Sequence, residues 1–99
     1  MARFDVYRSP DGVGYVVDVQ ADLLDMLQTR VVVPLLPLRD APKPAKRLNP
    51  VFGIEGVDCV LVTQYIATVP RTVLQTVVTD LRDEADQIIG AVDFVLSGF

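Results

Sequence analysis

Histidine and tryptophan are absent from the sequence, and cysteine occurs once, as Cys59. Without histidine, the chain cannot form Ser–His or Cys–His catalytic pairs, and it has no His-based acid–base group or His/Cys zinc site. One cysteine cannot close a disulfide within the chain, so a reducing compartment is the simpler expectation. Cys59 lies in an apolar segment, residues 57–62, and this predicts a small buried side chain rather than a nucleophile.

The sequence also lacks an excess of positive charge. It has 9 Lys and Arg against 13 Asp and Glu, which gives a formal net charge of −4. Sequence-independent nucleic-acid binding depends on Lys and Arg that neutralise phosphates, so we expect no direct nucleic-acid binding by this chain alone.

Long apolar runs are missing as well. The longest, residues 31–38, is interrupted by Pro34 and Pro37 and is far shorter than the roughly 20 residues of a membrane-spanning helix. Residues 1–5 contain no apolar core of a signal peptide. We therefore expect no membrane partner.

The 99 residues predict a single domain, 1–99, and 51% of them are hydrophobic. A chain of this size buries roughly 60–70% of its extended surface when it folds. So large an apolar share in so small a body indicates that part of it is buried against a partner chain.

Alternating and β-branched segments predict a mainly β domain of the α+β class. Residues 4–8 and 15–19 are expected to form a hairpin around the Pro- and Gly-containing turn 9–14. Further strands are predicted at residues 29–36, 51–54 and 57–63.

Several local features refine this prediction. Glu55-Gly56 is a two-residue hairpin signal between the last two strands. Pro34 lacks an N–H donor, so we expect that side of its strand to face a sheet edge or a bulge. Residues 20–28 fit either one helical turn or an irregular connector, and residues 69–79 are predicted to be short strand and turn.

The C-terminal segment predicts an amphipathic helix. From Leu81 to Phe99, apolar residues recur at intervals of three and four. Asp80 or Asp83 can cap its start, and Gly98 is suited to end it.

The end of this helix is unusual in its charge. Residues 83–99 include four carboxylates and neither Lys nor Arg, although the end of a helix favours cations because its last carbonyls are partly negative. The apolar, uncompensated tip at Leu96 and Phe99 can be a docking surface for a basic protein. It can equally be a frayed terminus with Phe99 packed on the core.

Two acidic groups could carry chemistry. The group Asp80, Asp83, Glu84 and Asp86 could bind a hard cation, but it lacks the glycine and the spacing of a calcium loop. Capping and solvation of the helix start are the simpler interpretation. Asp22 and Asp25 could form a catalytic pair, but caps of a turn are the better interpretation, because nothing nearby indicates a burial that would raise one pKa.

Residues 39–47 form a loop that is rich in proline and positive charge. Interleaved aromatic residues are absent, so stacking on bases is unsupported. A solvated loop or a site for an acidic partner segment is the better interpretation.

The order of several short motifs over nearly the whole chain resembles the CcdB family, the toxins of bacterial toxin–antitoxin pairs. The motifs are Phe4-Asp5-Val6-Tyr7, Asp18-Val19-Gln20-Ala21-Asp22-Leu23-Leu24-Asp25, Val33-Pro34-Leu35, Leu48-Asn49-Pro50-Val51, Ala67-Thr68-Val69-Pro70 and Ser97-Gly98-Phe99.

This resemblance implies a small antiparallel β-sheet domain, related to SH3-like barrels, with a C-terminal α-helix. It implies a cytoplasmic homodimer that is not an enzyme and has no catalytic residue, cofactor or metal. Such a protein poisons DNA gyrase by lodging between the arms of the A-subunit dimer while DNA is cut. A disordered CcdA-like antitoxin neutralises it. Roles in plasmid maintenance and transcription regulation are also implied.

The resemblance also implies binding residues. Those for gyrase fall on Leu23, Leu24, Asp93, Leu96, Ser97, Gly98 and Phe99. Those for the antitoxin fall on Arg8, Asp11, Tyr15, Arg39, Lys43, Lys46 and Arg47. At one position the chain departs from the family, because Ser97 stands where well-known members have a Trp that stacks on an arginine of gyrase.

Two alternatives remain open. One is an endoribonuclease of the MazF/Kid type, which has the same fold and would use Arg8 and Asp11, or Arg71. The other is a binding protein that keeps the fold and the antitoxin but, with Ser97 in place of Trp, no longer poisons gyrase.

Overall fold

Seven antiparallel strands form one curled sheet in the computed structural model, which describes residues 1–98. The strands are β1 (Asp5–Arg8), β2 (Tyr15–Asp18), β3 (Thr29–Pro37), β4 (Val51–Ile54), β5 (Val57–Leu61), β6 (Ala67–Pro70) and β7 (Val77–Asp80). One helix, α1 (Ala85–Ser97), follows them. The mainly β fold class and the C-terminal helix are thereby confirmed.

The sheet has the strand order β4-β5-β3-β2-β1-β7, and β6 pairs with β3 outside this path. The predicted hairpin of β1 and β2 is confirmed, with Tyr7 opposite Val16. Its turn needs Gly14, which has a φ of +68° and leaves no room for a Cβ beside the carbonyl oxygen of Leu35. This close approach seats the turn on β3.

Strand β3 is the centre of the sheet and has two partners along one of its edges. Residues 29–32 pair with β6, and residues 35–37 pair with β5. Pro34 lies between these two stretches, and its carbonyl accepts a hydrogen bond from the backbone N–H of Val62 at 2.9 Å.

The expectation that Pro34 faces an edge or a bulge is wrong. In an antiparallel strand, the N–H and C=O of one residue point to the same side, so the missing donor of Pro34 faces the gap between β5 and β6. A central strand tolerates proline here because the ladder changes partner at that residue.

The segment 20–28 contains one 3₁₀ turn, Asp22–Leu24, here called the Asp22 turn. Of the two structures predicted for this segment, it is the single helical turn that forms. Asp22 Oδ1 accepts a hydrogen bond from the backbone N–H of Arg3 at 2.9 Å. The side chain of Gln20 donates to the carbonyl of Leu24 at 2.8 Å. These bonds fix a turn whose own apolar side chains stay exposed.

The second hairpin turns at Glu55 and Gly56, whose φ angles of +51° and +80° match a two-residue hairpin turn. Strand β5 ends at Leu61, earlier than predicted, because Thr63 begins a 3₁₀ turn and its hydroxyl hydrogen-bonds to the carbonyl of Leu48. The short strands and turn predicted for residues 69–79 are confirmed, with the 3₁₀ turn Arg71–Val73 between β6 and β7.

The C-terminal helix begins at Ala85, four residues after the start of the apolar pattern at Leu81. Residues Arg82–Glu84 form a 3₁₀ turn, and of the two predicted caps Asp80 makes the bond, accepting from the N–H of Arg82 at 3.0 Å. The predicted stop is confirmed: Gly98 has a φ of +76°, and its N–H donates to the carbonyl of Phe94. No helix within residues 1–98 is long and apolar enough to cross a membrane.

The main core lies between the sheet and α1. It joins Val17, Leu35 and Leu61 of the sheet to Ile88 and Ala91 of the helix. Cys59 belongs to it and is fully buried, as predicted, and burial raises the pKa of its thiol. A smaller cluster contains Tyr7, Val16, Val32 and Leu74. Because Val32 and Val33 alternate between the two clusters, β3 is buried on both faces.

An ion pair is buried where β2 meets β3. Asp18 Oδ2 lies 2.7 Å from Nε and 2.6 Å from Nη2 of Arg30, and both side chains are fully buried. Asp18 Oδ1 also accepts a hydrogen bond from the N–H of Gln20. Burial raises the pKa of the Asp18 carboxyl, and the contacts with Arg30 and Gln20 oppose this rise.

Replacement of Arg30 should strongly destabilise the fold. Arg30→Met leaves the Asp18 carboxylate buried without its cation, for which we expect a loss of about 3–5 kcal/mol in the free energy of unfolding. The double variant Arg30→Met/Asp18→Leu should recover most of it. Urea denaturation measures both.

The exposed pair Arg39–Asp40, with a nitrogen–oxygen distance of 3.7 Å, supplies the matched control. Arg39→Met should leave the urea midpoint unchanged, because exposed ion pairs contribute little. Equal midpoints for Arg30→Met and Arg39→Met would contradict the role of the buried pair.

Candidate functional site

The positions expected to contact gyrase lie at two exposed places. Asp93, Leu96 and Ser97 are in the last turns of α1, and Gly98 follows them; together they form the helix tip. All four are exposed, and Leu96 is 71% exposed. Phe99, the last member of the predicted set, lies outside the described residues. The core holds α1 through Ile88 and Ala91, which precede all four of these positions in the chain.

The other two positions, Leu23 and Leu24, lie on the Asp22 turn, where they are 86% and 46% exposed. Arg71 supports the segment after this turn by donating to the carbonyls of Asp25 and Leu27. Among residues 1–98, no hydrogen bond links the Asp22 turn to the helix tip. The predicted positions that the structure describes therefore divide between the helix tip and the Asp22 turn.

The positions expected to contact the antitoxin divide between two clefts. Arg8, Tyr15 and Arg39 line a cleft of about 340 Å³ beside the turn between β1 and β2. Lys46 and Arg47 line another of about 410 Å³, between α1 and the loop before β4. Lys43 is exposed on that loop and lines neither of these clefts.

Glu55 organises the first cleft, although its sequence context indicated only a turn. Its Oε1 lies 3.2 Å from Nη2 of Arg8 and accepts a hydrogen bond from the hydroxyl of Tyr15 at 2.8 Å. The bond to Glu55 raises the pKa of Tyr15. The positive φ of Glu55 directs the hairpin tip across to β1 and β2, and periodicity cannot predict such a contact.

Asp11 is fixed in the turn between β1 and β2. Its Oδ1 accepts hydrogen bonds from the N–H of Val13 at 2.9 Å and from the hydroxyl of Ser9 at 2.7 Å. The bond from Val13, followed by that from Ser9, lowers the pKa of this carboxyl. Asp11 therefore stays ionised near neutral pH and is a poor proton donor.

Arg47 connects the basic loop to the helix. Its φ is +68°, and its guanidinium carbon lies 4.6 Å from the centre of the Phe94 ring. Phe94 lies between Asp93 and Leu96 of the helix tip and was absent from the predicted sites. This stack brings the second cleft close to the helix tip.

Two of the four acidic residues at the helix start, Asp80 and Glu84, make local contacts. Asp80 caps the turn at Arg82 and pairs with the Arg82 guanidinium at 3.0 Å. Glu84 accepts a hydrogen bond from Gln87. Within residues 1–98, no three carboxylate or cysteine side chains are grouped as a metal site requires.

Comparison with known proteins supplies the family. The family model described as CcdB protein matches residues 3–98.

Two solved structures share the fold. An endoribonuclease from a mycobacterial species has a TM-score of 0.79 at 16% identity, over 97% of this chain and 90% of its own. A MazE–MazF complex from Deinococcus radiodurans has a TM-score of 0.68 at 11% identity, over 98% and 95%.

The stack of Arg47 on Phe94 should contribute measurably to stability. In a double-mutant cycle with Arg47→Gln and Phe94→Leu, we expect a coupling of about 0.5–1 kcal/mol, the range of an exposed cation–π contact. Urea denaturation of the four proteins measures it. The matched cycle with Lys46→Gln should show no coupling to Phe94→Leu, and equal coupling in the two cycles would contradict a specific stack.

Proposed function

This chain belongs to the CcdB family of toxins from toxin–antitoxin systems, and on that premise we propose that it binds the A subunit of DNA gyrase through the helix tip. The observation that carries the proposal is the 71% exposure of Leu96 at the end of a helix without a cation in its last turns. An exposed apolar side chain one helical turn after the carboxylate of Asp93 is complementary to a cationic protein surface.

The proposed toxin acts by binding, without forming or breaking a bond. Lodged between the arms of the gyrase A-subunit dimer, it holds the enzyme while DNA is cut. The helix tip suits such a wedge because α1 is anchored in the core at Ile88 and Ala91, so the tip is presented on a rigid element. The rigid helix lowers the entropic cost of binding.

Ser97 determines how strongly the tip can bind. It is the last residue of α1 and is exposed, and Gly98 turns the chain immediately after it. Its hydroxyl cannot stack on an arginine as a tryptophan does, a contact that contributes on the order of 0.5–2 kcal/mol. We therefore propose weaker gyrase binding than in family members with tryptophan.

Gyrase supercoiling and cleavage assays test the proposal. Micromolar protein should inhibit supercoiling and leave linear DNA after denaturation of the enzyme. Leu96→Asp should abolish both effects because it removes the apolar contact without disturbing the core. Leu38→Asp, at a leucine that is 51% exposed elsewhere, is the matched control and should retain them.

The variant Ser97→Trp distinguishes a gyrase poison from a binding protein of the same fold that no longer poisons gyrase. Stronger trapping by the variant supports the toxin. If the natural chain is inactive and only Ser97→Trp traps cleaved DNA, the chain is instead a binding protein of this fold that no longer poisons gyrase.

We also propose that the protein is a homodimer. Large apolar side chains are exposed after the Asp22 turn, at Met26 and Leu27, and a second chain would cover such a surface.

Light scattering after dilution should give about twice the chain mass of 10.9 kDa, because burial of this apolar surface favours association. A monomer at micromolar concentration would rule the dimer out.

An endoribonuclease is the second candidate, because both solved structures named above have this fold and the first is an endoribonuclease. The local chemistry opposes it, since Arg8 is paired with Glu55, Asp11 has a lowered pKa, and Arg71 binds backbone carbonyls. RNA cleavage that is lost in Arg8→Ala or Arg71→Ala would establish it.

A further inference from the structure

Two polar side chains are buried on one face of the sheet without a protein partner for one of their polar atoms. Tyr7 of β1 is 2% exposed, and Arg30 of β3 is fully buried. Among residues 1–98, no group forms a hydrogen bond with the Tyr7 hydroxyl or with Nη1 of Arg30. Buried polar groups in folded proteins are nearly all paired, because an unpaired one has lost its bond to water without compensation. These two atoms therefore indicate a further bonding partner.

The two groups lie close together. Tyr7 and Val32 pack in the smaller core cluster, and Arg30 precedes Val32 by two residues on β3, so all three side chains lie on the same face of the sheet. Burial raises the pKa of the Tyr7 hydroxyl, and the charges of Asp18 and Arg30 also act on this group. The hydroxyl is thus within the field of the buried ion pair.

The segment after β6 closes this space from solvent. Of residues 71–76, only Leu74 is buried, and it packs in the same cluster as Tyr7. The backbone N–H of Arg71 donates to the carbonyl of Gln28 at 2.9 Å, and that of Leu74 donates to the carbonyl of Arg71 at 3.2 Å. These bonds hold the segment over the sheet, so a bonding partner for the buried atoms must be small.

The hydrogen bonds that remain open are suited to water. Nε and Nη2 of Arg30 already face the carboxylate of Asp18, so the pair is neutral overall and Asp18 would repel an anion. Nη1 offers two N–H donors, and the Tyr7 hydroxyl can donate or accept. A water molecule can accept from the guanidinium and donate to the hydroxyl, and buried waters occur about once in 27 residues, with about three such bonds each.

We propose that one internal water molecule bridges Tyr7 Oη and Arg30 Nη1 and is part of the folded structure. It completes the hydrogen bonding of the Arg30 guanidinium beneath residues 71–76. The proposal is independent of the proposed function, because the bridge involves neither the helix tip nor the Asp22 turn.

The variant Tyr7→Phe tests the bridge by the sign of its effect on stability. If the hydroxyl bonds to water, its removal breaks that bond, and the equilibrium constant of unfolding should rise about fivefold in urea denaturation. If the hydroxyl is unpaired, its removal relieves a desolvation cost and raises stability. Tyr65→Phe is the matched control, because Tyr65 is 53% exposed, and it should leave the urea midpoint unchanged. An unchanged or higher midpoint for Tyr7→Phe would overturn the proposal.

Magnetic relaxation dispersion of ¹⁷O counts the water molecules that stay in a protein long enough to tumble with it. The natural chain should hold one such water more than Arg30→Met/Asp18→Leu, which lacks the guanidinium, and Tyr65→Phe should keep it. Equal dispersion amplitudes in the natural chain and the double variant would refute the bridge. This measurement keeps the test valid if Tyr7→Phe fails to fold.

A high-resolution crystal structure locates the water directly. It should show a density peak within about 3.2 Å of both Tyr7 Oη and Arg30 Nη1. Crystals soaked in bromide should give no anomalous signal at this position. A bromide signal would instead identify an anion site, and the absence of any density between the two atoms would equally reject the proposal.

Discussion

The change of partner along β3 is the constraint on which the architecture depends. Its first half pairs with β6 and its second half with β5, and Pro34 stands where neither ladder needs a donor. After the exposed Thr29, the residues of this strand are at least partly buried, so the strand both pairs along its edges and packs on its faces. Val33 and Leu35 reach the main core, where they meet the residues that anchor α1.

The helix follows from that core. Ile88 and Ala91 are buried in it, whereas Leu96, near the end of the helix, is 71% exposed. Stability and binding are thus divided along one helix: its middle contributes to folding and its end is available to a partner. The left-handed conformation of Gly98 ends the helix cleanly and keeps the tip compact.

Cationic side chains show a similar division of roles. Arg30 is fully buried with Asp18, Arg71 holds the segment after the Asp22 turn, and Arg8 is paired with Glu55. These three side chains contact groups of the chain itself. Lys46 and Arg47 line the cleft between α1 and the loop before β4, where Arg47 stacks on Phe94.

Sequence periodicity alone determined the fold class, both hairpins and the terminal helix with its stop at Gly98, because these depend on spacing and on the backbone freedom of single residues. Tertiary structure alone determined the contacts between residues that are far apart in the sequence. Pro34 is tolerated in a central strand only because β5 and β6 pair with the same edge of β3 and the ladder changes partner at this residue. Glu55 contacts Arg8 because the tip of the second hairpin lies beside β1. Arg47 contacts Phe94 because the loop before β4 packs against α1. Contacts between residues this far apart in the chain arise from the path of the backbone, which local pattern does not encode.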